Sequence, residues 1–112
     1  MDKIEKYQQI ILELLEEYAA IPSSYPTSLR DEVVADTVRN HFQLITLGWE
    51  GARFVYEVVF HFDILDDKVW IQQNNTEANL AEELVERGIP KSDVVIGFQP
   101  LAVRAMTDYA TA

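Results

Sequence analysis

The stretch RFVYEVVFHFDIL, Arg53–Leu65, decides the fold. Phe54, Tyr56, Val58, Phe60, Phe62 and Ile64 alternate along it with Val55, Glu57, Val59, His61 and Asp63. A period of two sends successive side chains to opposite sides of a sheet, so the run predicts a long strand. One of its faces is aromatic and makes the core, and the other is mixed.

Working outward, Lys68 to Gln73 follows through Asp66-Asp67, and Phe42 to Trp49 precedes through Glu50-Gly51. Connections this tight make the three strands an antiparallel meander. Glu32 to Arg39, rich in Val and Thr, reads as a further strand. Residues 22–28 form a loop by composition.

Ahead of the strands, from Asp2 to Ala20, the residues Ile4, Tyr7, Ile11, Leu14 and Tyr18 step by three and four. Ile10 and Leu15 widen the stripe. This is an amphipathic helix, capped by Asp2 and stopped by Pro22. Leu12 lies off the stripe. After the strands, Thr76 caps a second helix in which Ala81, Leu84 and Val85 face inward, and Gly88 with Pro90 stops it. Val94 to Phe98 is apolar, either strand or irregular. Beyond Pro100, Leu101, Ala105, Met106 and Tyr109 predict a short terminal helix. The expected architecture is α+β: a single domain over residues 1–112, with an antiparallel sheet of about four strands and helices packed mainly on one face.

Composition narrows the function. The chain has 112 residues, 48% of them hydrophobic, enough for one core and too apolar for a disordered protein. Nineteen acids against nine Lys and Arg give a net charge of −10, and the bases do not cluster. Binding to a nucleic-acid duplex or an anionic membrane is therefore disfavoured. There is no cysteine, which excludes disulfides, thiolate metal sites and a cysteine nucleophile. No apolar run reaches ~20 residues and the N-terminus lacks the features of a signal peptide, so a cytoplasmic protein is expected.

The chemistry-bearing residues are few. His41 and His61 are the only histidines. A two-residue turn at Asp66-Asp67 sets His61 opposite Gln72 and Asp63 opposite Trp70, giving a polar strip of His61, Asp63, Gln72 and Asn74 on the mixed face. A three-residue loop at Glu50-Gly51 brings His41 to that face, whereas a two-residue loop sends it to the aromatic face; the sequence leaves both open. In the first case His41, His61 and Asp63 resemble a partial metal or acid–base site. Zinc sites, however, need three or four ligands and a second shell of partners that the sequence does not identify, so neither metal nor cofactor is expected. Phosphate loops, serine elbows and His-Glu-x-x-His are absent, and no catalytic residue is assigned. Trp49 and Trp70 with Val55, Val59, His61, Asp63 and Gln72 have instead the makeup of a protein interface. A mixed face this large also predicts a homo-oligomer.

Several segments together carry a family resemblance. They are YQQIILELLEEYA (Tyr7–Ala19), HFQLITLGWEG (His41–Gly51), VYEVVFHFDI (Val55–Ile64), KVWIQQNNTE (Lys68–Glu77), ELVERGIPKSDVVIGF (Glu83–Phe98) and TDYATA (Thr107–Ala112). The chain resembles the XisI-like family, the fdxN-element excision controlling factors of cyanobacteria, nearly end to end. Asn75 stands where the family pattern leads one to expect glycine. The resemblance implies a non-enzymatic accessory protein that controls site-specific excision of a DNA element through a nuclease-like or recombinase partner. It also implies a companion, XisH, resembling endonuclease-fold proteins. For such a partner the helix acids Glu13, Glu16, Glu17, Glu82, Glu83 and Glu86 form a candidate docking surface that substitutes for nucleic acid. The alternative is a metal-binding or hydrolytic protein using His41, His61 and Asp63.

Overall fold

A computed structural model describes residues 2–22 and 28–112. Residues 23–27, most of the expected 22–28 loop, lie outside the described residues. The chain runs through helix α1 (Lys3–Ala19), strands β1 (Arg30–Asp36), β2 (His41–Glu50), β3 (Arg53–Leu65) and β4 (Lys68–Asn74), then helix α2 (Leu80–Glu86). A short 3-10 turn (Lys91–Asp93), strand β5 (Val94–Ile96) and helix α3 (Leu101–Arg104) complete it. The strands lie in sequence order in one sheet. The first four are antiparallel, and β5 is parallel to β4, so the sheet has five strands where about four were expected. The return through α2 supplies the length that a parallel pairing requires.

Asp2 caps α1 as expected, its Oδ1 accepting from the Glu5 amide at 2.9 Å. Tyr7, Ile10, Ile11, Leu14 and Leu15 are buried against Phe42, Leu44, Phe60, Phe62, Val69 and Ile71. Leu12, off the stripe, is still partly buried against the same cluster. α2 adds Leu80, Ala81 and Leu84 to it, and both helices therefore cover one side of the sheet, the first face. The cap of α2 is Asn79, not Thr76: the Asn79 side chain accepts from the Glu82 amide at 3.1 Å. Thr76 instead donates its hydroxyl to Asn74 at 2.7 Å in the turn that leads into the helix.

Two tyrosines fasten α1 to the C-terminal half. The Tyr7 hydroxyl donates to Asp93, which also holds Lys3 at 3.0 Å. Tyr18 donates to Glu83 at 2.6 Å and meets Phe60 edge-on at 5.0 Å. Burial, and next the acidic acceptor, push the Tyr7 hydroxyl pKa upward and bring that of Tyr18 to about 12. Both stay donors over the physiological range.

The decisive feature is a pair of β-bulges. At the first hairpin Glu50 pairs with Arg53, so the loop is Gly51-Ala52, two residues long. By itself that register would place His41 on the aromatic face. Further along, Ile45 pairs with Val58 and Leu44 with Phe60, leaving Val59 as an extra residue. An inserted residue shifts the pairing by one and reverses the parity beyond it. The aromatic stripe is thereby divided. Phe60, Phe62 and Ile64 enter the core under α1, while Phe54, Tyr56 and Val58 pass to the second face. Val55, opposite Gly48, and Val59, packed on the core, take the helix side. The expectation of a continuous aromatic core face with Val55 and Val59 opposite it is corrected accordingly.

The second bulge lies on β4. The Asp66-Asp67 turn is two residues long, both with positive φ (51° and 63°), as a primed hairpin turn requires. Asp63 pairs with Trp70 as expected. Phe62 then pairs with Ile71 and His61 with Gln73, leaving Gln72 as the extra residue. His61 is therefore opposite Gln73 rather than Gln72. Asn74 pairs with Phe60 and bonds to Ala78 and Thr76, so it leaves the polar strip.

Candidate functional site

The second face has three zones set by the strands. Along the β2–β3 hairpin the cross-strand pairs Ile45–Val58, Leu47–Tyr56 and Trp49–Phe54 form an apolar ladder. Its outer end is open: Trp49, Phe54 and Tyr56 are more than half exposed, whereas the exposed Val34 of β1 lies further along, opposite Gln43. Trp49 and Phe54 pack edge to face at 5.2 Å. Large rings left in water on a regular, rigid support are the composition of an interface rather than of a solvated surface.

In the middle, a polar cluster occupies the same face. His41 Nδ1 and His61 Nε2 both donate to Asp63 Oδ1, at 2.7 and 2.8 Å. Gln43 Nε2 donates to His61 Nδ1 at 2.8 Å, and Gln72 Nε2 to Asp63 Oδ2 at 3.2 Å. The bulge at Val59 makes this possible, because it sets His41 opposite Asp63 and Gln43 opposite His61. Burial opposes ionisation of Asp63, but hydrogen bonds from His41, His61 and Gln72 outweigh it and hold its carboxyl below the ordinary range. The ligand-capable atoms of His41, His61 and Asp63 all lie within 4.8 Å of one another.

The third zone, at β4 and β5, is covered. The Arg104 guanidinium of α3 sits 5.4 Å from the Trp70 ring centre, and Ala110 bridges to Val95, which is fully buried. The backbone at Gly97 passes so close that a Cβ there would stand 3.0 Å from Trp70 and 2.5 Å from the Gln72 carbonyl oxygen. Trp70 is thus packed under the C-terminal segment and is a support of the face, not its open part.

Of the expected interface residues, Trp49, His61, Asp63, Trp70 and Gln72 share the second face, while Val55 and Val59 do not. Gln43, Leu47, Phe54 and Tyr56 were missed. The signal available for them was the consecutive apolar pairs Leu44-Ile45 and Val58-Val59, which serve both faces of a sheet at once. Among the six candidate helix acids, Glu17 pairs with Arg87 and Glu83 accepts from Tyr18, which ties α1 to α2. Glu13, Glu16, Glu82 and Glu86 are exposed on the outer side of the two helices. No helix among the described residues is long and apolar enough to cross a membrane.

The sequence profile described as XisI protein matches residues 1–111. The crystal structure of a XisI-like protein from Anabaena variabilis is similar at 42% identity and TM-score 0.89, covering 97% of this chain and 99% of that one. The crystal structure of the fdxN element excision controlling factor XisI from Anabaena variabilis is similar at 28% identity and TM-score 0.84, covering 99% and 100%. No curated protein sequence matches the chain.

Proposed function

The chain belongs to the XisI family, and from that premise we propose that it is a non-enzymatic accessory protein controlling excision of a DNA element by binding other proteins. The observation that carries this reading is the open apolar ladder of Trp49, Phe54 and Tyr56. A ladder of exposed rings on a rigid sheet suits a macromolecular partner, since rings held by the backbone lose little entropy on binding.

Two surfaces divide the work. The second face joins copies of the chain, because its rings lie side by side on paired strands, a surface that a second copy can match. The exposed helix acids, on the opposite side of the sheet, dock on the basic cleft of an XisH-like, nuclease-like companion in place of nucleic acid. Glu13, Glu16, Glu82 and Glu86 carry that contact, since Glu17 and Glu83 are committed to Arg87 and Tyr18. With a net charge of −10 the protein acts on DNA through its partner and not by touching it. Its place of action is the cytoplasm.

Co-expression with the protein encoded beside it tests the reading. A stoichiometric complex that weakens as salt rises, and that competes with DNA for the companion, is expected. A companion recovered alone, together with a monomer in sedimentation at high concentration, refutes it.

A further inference from the structure

We propose that His41, His61 and Asp63 form a binding site for a borderline first-row divalent cation, for which Zn2+ is the natural probe. The ligand set is two imidazoles and one carboxylate, drawn from neighbouring positions on β2 and β3. Imidazole favours Zn2+ and its transition-metal neighbours, and the absence of thiolates removes the soft competitors.

Geometry argues first. Two ring nitrogens from different strands converge on one carboxylate oxygen, at 2.7 and 2.8 Å. A tetrahedral Zn2+ with N and O ligands at ~2.0–2.2 Å holds neighbouring ligand atoms ~3.3 Å apart. The two N···O separations need to open by only about half an ångström to reach that value. The longest separation in the set, no more than 4.8 Å, closes by a turn of His41, whose side chain is 55% exposed.

The second argument is the support behind the ligands. Metal-bound imidazoles and carboxylates are oriented by hydrogen bonds to their far atoms. Gln43 contacts His61 at Nδ1, leaving Nε2 to the site, and Gln72 holds Asp63 by Oδ2, leaving Oδ1. Gln72 is itself seated by the close approach of Gly97. The Gln43 amide can serve either tautomer of His61. Turning the Gln43 amide over presents its oxygen to an Nδ1–H and frees the His61 Nε2 lone pair. His41 moves its proton from Nδ1 to the outward Nε2. Neither step changes the charge of a neutral imidazole, so two neutral rings and one carboxylate face the cation. Asp36, the acid opposite His41 on β1, is engaged with Arg39 at 3.1 Å and with the Val38 and Arg39 amides. Water completes the coordination on the solvent side.

The site lies between the open ladder and the covered Trp70 zone. A bound cation would clamp β2 to β3 next to the bulge at Val59, where ladder pairing is locally interrupted.

Equilibrium dialysis of the untagged full chain against Zn2+, with metal analysis and a thermal melt, tests the site. One Zn2+ per chain and a melting temperature that rises with Zn2+ are expected. Asp63→Asn, His61→Ala and His41→Ala should each weaken binding by about tenfold or more, and Gln43→Ala by about tenfold. Circular dichroism checks each fold. His41 is exposed, so His41→Ala keeps the test decisive if an inner variant fails to fold. Mg2+, which prefers an all-oxygen octahedral shell, should bind far more weakly. Less than one Zn2+ per chain overturns the assignment, as does binding that survives both His41→Ala and His61→Ala, or Mg2+ binding as tight as Zn2+.

Discussion

Truncating two phenylalanines of one strand measures the bulge that organises this protein. Phe54 and Phe60 share the same sequence parity on β3, and an unbroken strand would bury both against α1. In the structure Phe60 is fully buried and Phe54 is 51% exposed. Phe60 packs edge-on against Tyr18 at 5.0 Å and lies 6.3 Å from Phe62, so its truncation opens a cavity under the helix. Phe60→Ala should therefore cost about 3–5 kcal/mol. Phe54 withdraws only half its surface from water, worth about 1 kcal/mol, and its pairing with Trp49 adds about 0.5 kcal/mol. Phe54→Ala should thus cost less than about 2 kcal/mol. Urea unfolding followed by circular dichroism reads the difference. With a slope of about 2 kcal/mol/M, the two variants should differ in midpoint by about 0.5 M or more. Equal losses from the two substitutions would show that Phe54 and Phe60 share one face and would refute the bulge. The same Phe54→Ala chain should lose self-association while remaining folded, because the ring it removes belongs to the open ladder.

Other consequences follow from single contacts. Gly97→Ala sets a Cβ against Trp70 and the Gln72 side chain, so it should lower stability by about 1–3 kcal/mol; an unchanged melting temperature would mean the segment does not press on the face. The Asp63 carboxyl is held below its ordinary value of 3.8, so its contribution is fully present above that value and is lost as pH falls through the lowered folded-state value. Asp63→Asn should flatten that part of the acid-unfolding curve, leaving Asp2, Asp36 and Asp93, which are also lowered, to supply the remaining slope; an unaltered curve would contradict the hydrogen-bonded carboxylate. Glu13→Lys with Glu16→Lys should change stability by no more than about 0.5 kcal/mol, since both are exposed, while slowing association with the companion at low salt. An unaltered on-rate would remove the acidic helices from the docking surface.

Local rules were enough for the elements. The period of the α1 stripe, the Asp2 cap, the alternation of Arg53–Leu65 and the Asp66-Asp67 turn all act within a few residues of chain, and each appears where the sequence puts it. Hydrophobic burial and turn geometry are then sufficient to give an α+β fold with α1 on one side of a meander. The faces were a different matter. A β-bulge leaves the alternating pattern of residue types along its own strand unbroken while reversing which face they take, and it is defined only against the partner strand, through the register of Ile45–Val58 and Leu44–Phe60. Within Arg53–Leu65 the consecutive apolar pair Val58-Val59 marks the place, but that Val59 lacks a pairing partner on β2 is visible only in the register. The extra residue turns Phe54 and Tyr56 to the open face and brings His41 opposite Asp63, although the hairpin loop alone would have sent His41 elsewhere. The parallel pairing of β5 with β4 and the packing of Arg104 over Trp70 are likewise contacts between distant segments. The sequence determined which elements form, because their causes are local. Only the tertiary structure decided which side chains meet, because pairing register is a relation between strands and belongs to neither one alone.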